Sequence, residues 1–258
     1  MDTLGDLSRV ETLRAILARL RSPNGCPWDR EQTHRSLRRP LLEECYEVLE
    51  ALDAGDDLRL REELGDLLLH IGFHCQMAEE RGAFSWEEVV RLLNTKLLQR
   101  HPHVFGDVRL ETARQVEEQW ERIKKGEKGN ASLLDGLPKE LPALAMAQAI
   151  SQRAARVGFE WPDLPSLLQK VQEEVREVIH AQTPEERERE MGDLLFAIVN
   201  LARWLKVDAE SALRTANERF RRRWQAMEEE CRRRGVDFAT LPLDQKEALW
   251  QGAKRAVG

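Results

Sequence analysis

One helical pattern occurs twice in this sequence, and the repeat limits the available folds more than any other feature. LEECYEVLEAL (42–52) is followed after a turn by EELGDLLLHI (62–71), and QEEVREVIHAQ (172–182) is followed by REMGDLLFAI (189–198). Glu43, Glu44 and Glu47 thus match Glu173, Glu174 and Glu177, while Glu63 and Asp66 match Glu190 and Asp193. Upstream, Gly25-Cys26-Pro27-Trp28-Asp29 matches Gly158-Phe159-Glu160-Trp161-Pro162. Downstream, LLNTKLLQR (92–100) matches RTANERFRRR (214–223), pairing Asn94 with Asn217, Lys96 with Arg219 and Arg100 with Arg223. Four matches in one order imply two copies of a single supersecondary unit.

Apolar residues recur at three and four positions, as in Val10, Leu13, Ile16, Leu17, Leu20 and in Val89, Val90, Leu93, Leu97, Leu98. That period is helical, and extended alternation is nearly absent, so the expectation is an all-α protein. Breakers such as DAGDD (53–57) and QTPEE (182–186) separate the acid-bearing segments, which predicts two helix hairpins. The polar run 124–132 and the prolines after it divide the chain into a repeat over 1–123, a linker over 124–142 and a second repeat over 143–258.

The acids are out of place in so apolar a setting. On a helix, Glu44 and Glu47 share a face, with Glu43 beside Glu47, and Glu63 and Asp66 form a second i,i+3 pair. Folding the hairpin lets the two pairs face each other across the seam. Four crowded carboxylates repel unless protons or cations neutralise them, and all-oxygen ligation suits Mg²⁺ or Mn²⁺. In a charged helical protein an isolated EExxE is usually a solvated face, but its repetition here favours a site. Gly65 and Gly192 sit in helical pattern, where glycine costs about 1 kcal/mol against alanine, so close helix approach is expected there.

Other features carry less. His70 and His74 have a zinc-compatible i,i+4 spacing without the Glu of HExxH, and they read as packed, hydrogen-bonded core histidines. Glu177 with His180 and Glu31 with His34 show the ExxH spacing of di-iron bundles, but the constellation is incomplete. No P-loop motif occurs, so any triphosphate chemistry rests on carboxylates and metal. The net charge of −6, with 46 acidic against 40 basic residues, gives no reason to expect nucleic acid. Arg221–Arg223 and Arg232–Arg234 are interspersed with glutamates and read as solvated helix. No apolar run is long enough to span a bilayer and the N-terminus lacks signal-peptide character, so a cytoplasmic protein is expected, with Cys26, Cys45, Cys75 and Cys231 reduced and mostly buried.

Taken together, GCPWD, LEECYEVLEAL, ELGDLL, RHPHVFGD, VGFEW, QEEVREV, EMGDLLFAIVNLAR and ANERFRRR resemble the MazG nucleoside triphosphate pyrophosphohydrolases of the all-α NTP pyrophosphatase group. The resemblance covers nearly the whole chain. It implies Mg²⁺-dependent hydrolysis of a nucleoside triphosphate to the monophosphate and diphosphate, over a broad range of nucleotides. Carried over by position, it implies Glu174, Glu177, Glu190 and Asp193 as metal ligands, with Glu44, Glu47, Glu63 and Asp66 as their N-terminal copies. Glu173, and Glu43 in the other copy, would orient or deprotonate water. Lys170, Arg219 and Arg223 would hold the polyphosphate, as would Lys96 and Arg100, and Trp250 and Lys254 would lie near the nucleotide. Family members commonly have Lys where Arg219 stands. The C-terminal repeat is expected to be the main site, and a homodimer is expected to cover the apolar faces that one repeat leaves. A nucleotide-sensing or partner-binding helical module without turnover is the alternative, and the presence of Glu43 and Glu173 argues against it, since binding alone needs no water-positioning acid.

Overall fold

A computed structural model describes residues 5–112, 115, 116, 119, 120, 123 and 132–257. All long regular elements among these residues are helical, as the period predicts. The chain divides into two compact units, Met1–Gly129 and Asn130–Gly258. Residues 124–131 of the expected linker fall outside the described set.

In the first unit α1 (Val10–Arg21) and the short α2 (Pro27–Glu31) precede the hairpin of α3 (Arg38–Ala54) and α4 (Asp57–Glu80). The DAGDD turn closes the hairpin by two devices. Gly55 takes φ 65°, a left-handed cap that glycine adopts without a Cβ penalty, and Asp56 caps α4 by accepting from the backbone N–H of Leu58 and Arg59 at 3.1 Å. Leu17 of α1 packs with Leu37, Phe73 and Met77 to form the unit's core, and Leu13, Leu20 and Leu69 pack around it. Gly72 makes room for this contact, because a Cβ there would lie 2.4 Å from Leu17 Cδ1.

The GCPWD segment is fixed just as tightly. A Cβ on Gly25 would lie 2.1 Å from the Leu20 carbonyl oxygen, so only glycine lets the chain turn back against the end of α1. The Arg21 guanidinium, 8% exposed, holds the returning segment by donating to the carbonyls of Asp29 at 2.5 Å and Gln32 at 3.2 Å, and it pairs with Glu80 at 2.8 Å. Next come α5 (Trp86–Arg100), opened by the Ser85–Glu88 capping box, and α6 (Pro102–Phe105). The apolar period of α5 forms the expected helix, but it buries none of its residues: Leu93 is 55% exposed and Leu98 53%.

The second unit repeats the hairpin. Here α7 (Ala143–Arg156) precedes α8 (Leu164–His180) and α9 (Pro184–Trp204), which pack closely, and α10 (Ala209–Arg234) and α11 (Leu243–Val257) follow. Asp163 caps α8, and Thr183 with Glu186 forms a capping box on α9, so the QTPEE turn ends one helix and begins the next. Buried Gln148 ties α7 to the start of α10, accepting from Ala209 N–H at 2.8 Å and donating to the Val207 carbonyl at 3.1 Å. Met227, Cys231, Leu249 and Ala253 pack α10 against α11, with Phe238 and Trp250 at the margin. All four cysteines are free. Cys75 and Cys231 are buried, and Cys26 and Cys45 are partly so.

VGFEW is pinned by an ion pair where GCPWD uses Arg21. Arg203 of α9 meets Glu160 at 2.6 Å and donates to the buried Ser151 hydroxyl at 2.6 Å, which in turn donates to Asn200 at 2.5 Å. The Arg203 hydrogen bonds hold the Glu160 carboxyl below its ordinary value. A lowered folded-state pKa adds stability above the unfolded value, and that stability is lost as pH falls through the folded one. Glu160→Gln is therefore expected to cost about 1 kcal/mol at pH 7, and the difference from wild type should be smaller at pH 3. Urea melts of both proteins at the two pH values check this; an equal difference at both would show that the pair contributes nothing through charge. Among the described residues, no helix is long and apolar enough to cross a membrane.

Candidate metal centre

Each hairpin gathers carboxylates where its helices face one another. In the first unit Glu44, Glu63 and Asp66 bring oxygens within 4.8 Å of one another, and in the second Glu174, Glu177 and Glu190 do so. Helix period explains both groupings, since α3 and α8 each present i,i+3 acids and α4 and α9 supply the opposing ones. The two sets are not the same. Asp66 belongs to the first cluster, whereas its match Asp193 is exposed and lies outside the second. Glu47 adjoins the first cluster through Glu44, and Glu177, its match, is within the second.

The electrostatic strain shows in the pKa values. Burial, followed by the charges of Asp66 and Glu63, pushes the Glu44 carboxyl up. The charge of Glu63 does the same to Glu47. In the second unit burial and then Glu174 raise Glu177, with Lys170 opposing. Arg59 balances part of the first cluster, reaching Glu63 at 3.2 Å and Glu50 at 3.1 Å. Arg189 meets Glu190 at 2.8 Å in the second.

Lys170 breaks the symmetry between the copies. Its Nζ lies 2.8 Å from Glu173 and 2.7 Å from Glu174, and these bonds raise its pKa. Pro40 stands at the matching position of the first unit, and Glu43 instead takes Arg39 at 2.8 Å. The lysine expected to hold phosphate is therefore paired with the acids themselves. Glu174 is 5% exposed, and its Oε2 has no hydrogen-bond partner although it is buried. A buried carboxylate oxygen without a donor is costly, and an all-oxygen cluster around it matches the demands of a hard divalent cation.

The other expected nucleotide-binding residues lie on the helices that follow the hairpins. Arg219 is exposed on α10, Lys96 is exposed on α5, and Lys254 is exposed on α11. Trp250 is partly buried, with the Arg223 guanidinium 5.7 Å and the Lys254 ammonium 5.7 Å from its ring centre and Phe220 5.2 Å away. Arg100 sits 5.5 Å over Trp120, a residue outside the four matched segments of the repeat. Its signal is present in the sequence, because QWERIKK (119–125) and LWQGAKR (249–255) share Trp-x-x-x-Lys. Lys124 lies outside the described residues.

The histidines also differ from expectation. His70 is buried as a core residue should be, 3.8 Å from Glu44, but its Nδ1 has no partner. His74 is hydrogen-bonded and stacked, and its partner is His34, with Nδ1 atoms 2.8 Å apart and rings 5.1 Å apart at 3°. Burial lowers the pKa of both His70 and His74.

Residues 32–105 and 163–227 each match the MazG nucleotide pyrophosphohydrolase domain, which places one matched segment on each acid hairpin. The chain belongs to the MazG family. It is 48% identical over 246 residues to the nucleoside triphosphate pyrophosphohydrolase/pyrophosphatase MazG of Thermotoga maritima, covering 95% of both chains. It is 44% identical over 258 residues to the nucleoside triphosphate pyrophosphohydrolase of Escherichia coli K12, covering 96% of this chain and 98% of that one. The uncharacterized protein YabN of Bacillus subtilis is 45% identical over 249 residues, but the match spans 51% of its length. Two MazG segments in one chain account for the duplication.

Proposed function

We propose that this MazG chain is a nucleoside triphosphate pyrophosphohydrolase, cleaving the triphosphate between its α and β phosphorus to give the monophosphate and diphosphate. It is a hydrolase acting on acid anhydrides. The observation that carries the reading is the buried, unpartnered oxygen of Glu174 beside Glu177 and Glu190, in a chain whose near full-length relatives bear that activity in their names.

Mg²⁺ is the proposed cation, with Mn²⁺ as an acceptable substitute. Glu174, Glu177 and Glu190 would hold it in the second unit, with Asp193 of α9 as a fourth proposed ligand, and Glu44, Glu47, Glu63 and Asp66 in the first. When bound, it supplies neutralisation of phosphate charge and a lowered pKa for coordinated water. Glu173, whose side chain is 54% exposed beside Glu174, would orient the attacking water and take its proton, and Glu43 would have the same role in the first unit. Lys170, Arg219 and Arg223 supply counter-charge to the polyphosphate, with the fork of Arg219 where family members commonly have a lysine. Trp250 offers an indole face to the base and Lys254 adds charge beside it. Lys96 and Arg100 are the N-terminal counterparts of Arg219 and Arg223.

The second unit is the proposed main site. The repeats are assigned to 1–123 and 143–258, with 124–142 between them. Exposed apolar side chains on the acid hairpins, among them Leu64 and Ile71 in one unit and Ile179 and Leu195 in the other, support a homodimer that covers them. The net charge supports a partner set without nucleic acid, and the absence of a membrane-crossing helix among the described residues fits a cytoplasmic enzyme.

Product analysis with several triphosphates and Mg²⁺ tests this reading. Diphosphate and monophosphate in equal amounts are expected for more than one base. Orthophosphate without diphosphate would overturn the bond assignment. Tight binding with no product would leave a sensing module.

A further inference from the structure

We propose that His34 and His74 form a proton-operated latch on the first acid hairpin, fastening the start of α3 to α4 while they share one hydrogen and releasing it when acid charges the pair. The latch stands apart from the carboxylates and does not depend on the pyrophosphohydrolase reading.

His34 lies in the turn that leads into α3, and His74 lies on α4, one turn beyond His70. The turn is braced from within. Thr33 N–H donates to the Ser36 hydroxyl at 2.9 Å, Ser36 N–H donates to the Thr33 hydroxyl at 3.0 Å, and Leu37 is seated in the core with Leu17, Phe73 and Met77. Holding His34 therefore holds the first turn of the helix that carries Glu43, Glu44 and Glu47. The contact is a single nitrogen pair. The two Nδ1 atoms are 2.8 Å apart, the ring planes are within 3° of parallel, and the ring centres are 5.1 Å apart. The N···N distance and two ring radii together span that whole separation, so the nitrogens meet head-on along the line of the ring centres.

A head-on pair at this distance holds one hydrogen. One ring carries it on Nδ1 and donates, while the other accepts with its Nδ1 lone pair and so bears its own hydrogen on Nε2. Both Nε2 atoms are buried without a hydrogen-bond partner. A further proton thus charges the pair at an outer nitrogen that has no acceptor, and a proton on each ring sets N–H against N–H. The titratable groups that act on His74 are His34 across the contact and His70 on its own helix; among the described residues, α1, α3 and α5 bring no charged side chain to bear on it. Burial, followed by His34 and His70, holds the His74 ring below its ordinary value. The contact is therefore complete above about pH 6.5, the usual histidine value, and is lost as pH falls through the lower, folded-state one.

The second unit shows that the hairpin does not need this pair to form. Continuing the match of EELGDLLLHI with REMGDLLFAI along the helix puts Leu201 of α9 at the place of His74, and it is half-buried as His74 is. A leucine fills that place equally at every pH. The start of α8 is thus an internal control for the start of α3.

Hydrogen exchange of the full chain, read by mass spectrometry at pH 7.5 and 5.5 and corrected for the intrinsic rate at each pH, tests the latch. Wild type is expected to lose about tenfold of its protection over residues 33–42 between these values, the change that one histidine contributes when its ordinary value returns on release. Residues 164–172 should change little. His74→Gln keeps a carbonyl that accepts from His34 Nδ1 whether or not His34 is charged, and it leaves His70 in place. Its residues 33–42 are expected to change no more than 164–172 do, and His34→Gln should behave alike. A tenfold loss that persists in His74→Gln would overturn the latch, as would a wild-type change over 33–42 no larger than that over 164–172. Loss of protection over 33–42 in both glutamine variants already at pH 7.5 would overturn it too, because a neutral acceptor would then fail to replace the imidazole.

Discussion

Replacing Glu174 by alanine is expected to lower kcat for diphosphate release by about a thousandfold, an effect of roughly 4 kcal/mol on the transition state. Glu174 is the buried member of its cluster, and its Oε2 has no hydrogen-bond partner. Its removal takes away a proposed cation ligand and leaves Lys170 bonded to Glu173 alone, so the fold should persist, as circular dichroism would show. Glu44→Ala in the first unit is expected to cost much less in the same assay. If Glu44→Ala alone abolishes turnover, the main site lies in the first unit and the assignment to the second is wrong.

Leu17→Ala is expected to destabilise the first unit by about 3–5 kcal/mol without touching an acid. Leu17 is 1% exposed and links α1 to the core of α4 through Phe73 and Met77. Truncation removes buried methyl groups and leaves a cavity that rigid helices do not fill. Relaxation is further limited because Gly72 has no side chain to move into the space. The corresponding fall in the unit's melting midpoint is on the order of 10 °C. A scanning calorimeter should show that shift in one transition, with the transition of the other unit unmoved. A shift of about 2 °C or less would mean that α1 is not seated in this core.

The helices, their turns and the facing acids were legible because each follows a local rule. Period 3.6 marks α1, α3 and α8, and Gly55 and Thr183 end or begin helices by cap chemistry confined to a few residues. What the sequence hid depends on distance along the chain. His34 finds His74 forty positions away, and no spacing rule pairs them. Trp120 is marked only by a shared Trp-x-x-x-Lys, because its separation from Arg100 differs from that of Trp250 from Arg223. The exposed face of α5 could not be read either, since an apolar period predicts an apolar stripe but not whether this chain covers it. Spacing likewise treats Asp66 and Asp193 as equals, and only the packing sets Asp193 outside its cluster.

The bond from Lys170 to Glu174 has a consequence for how the protein matures. Many small metal-binding modules remain unstructured until their ion arrives, because nothing else offsets the repulsion among their ligands. Here an internal ammonium already serves as counter-ion in the second unit, so its acid hairpin can assemble on a newly made chain before any cation is captured. A chelator would then silence this unit without melting it, and restored metal would revive it without a refolding step. In the first unit Pro40 stands in the lysine's place, and the internal counter-ion is Arg59, 3.2 Å from Glu63.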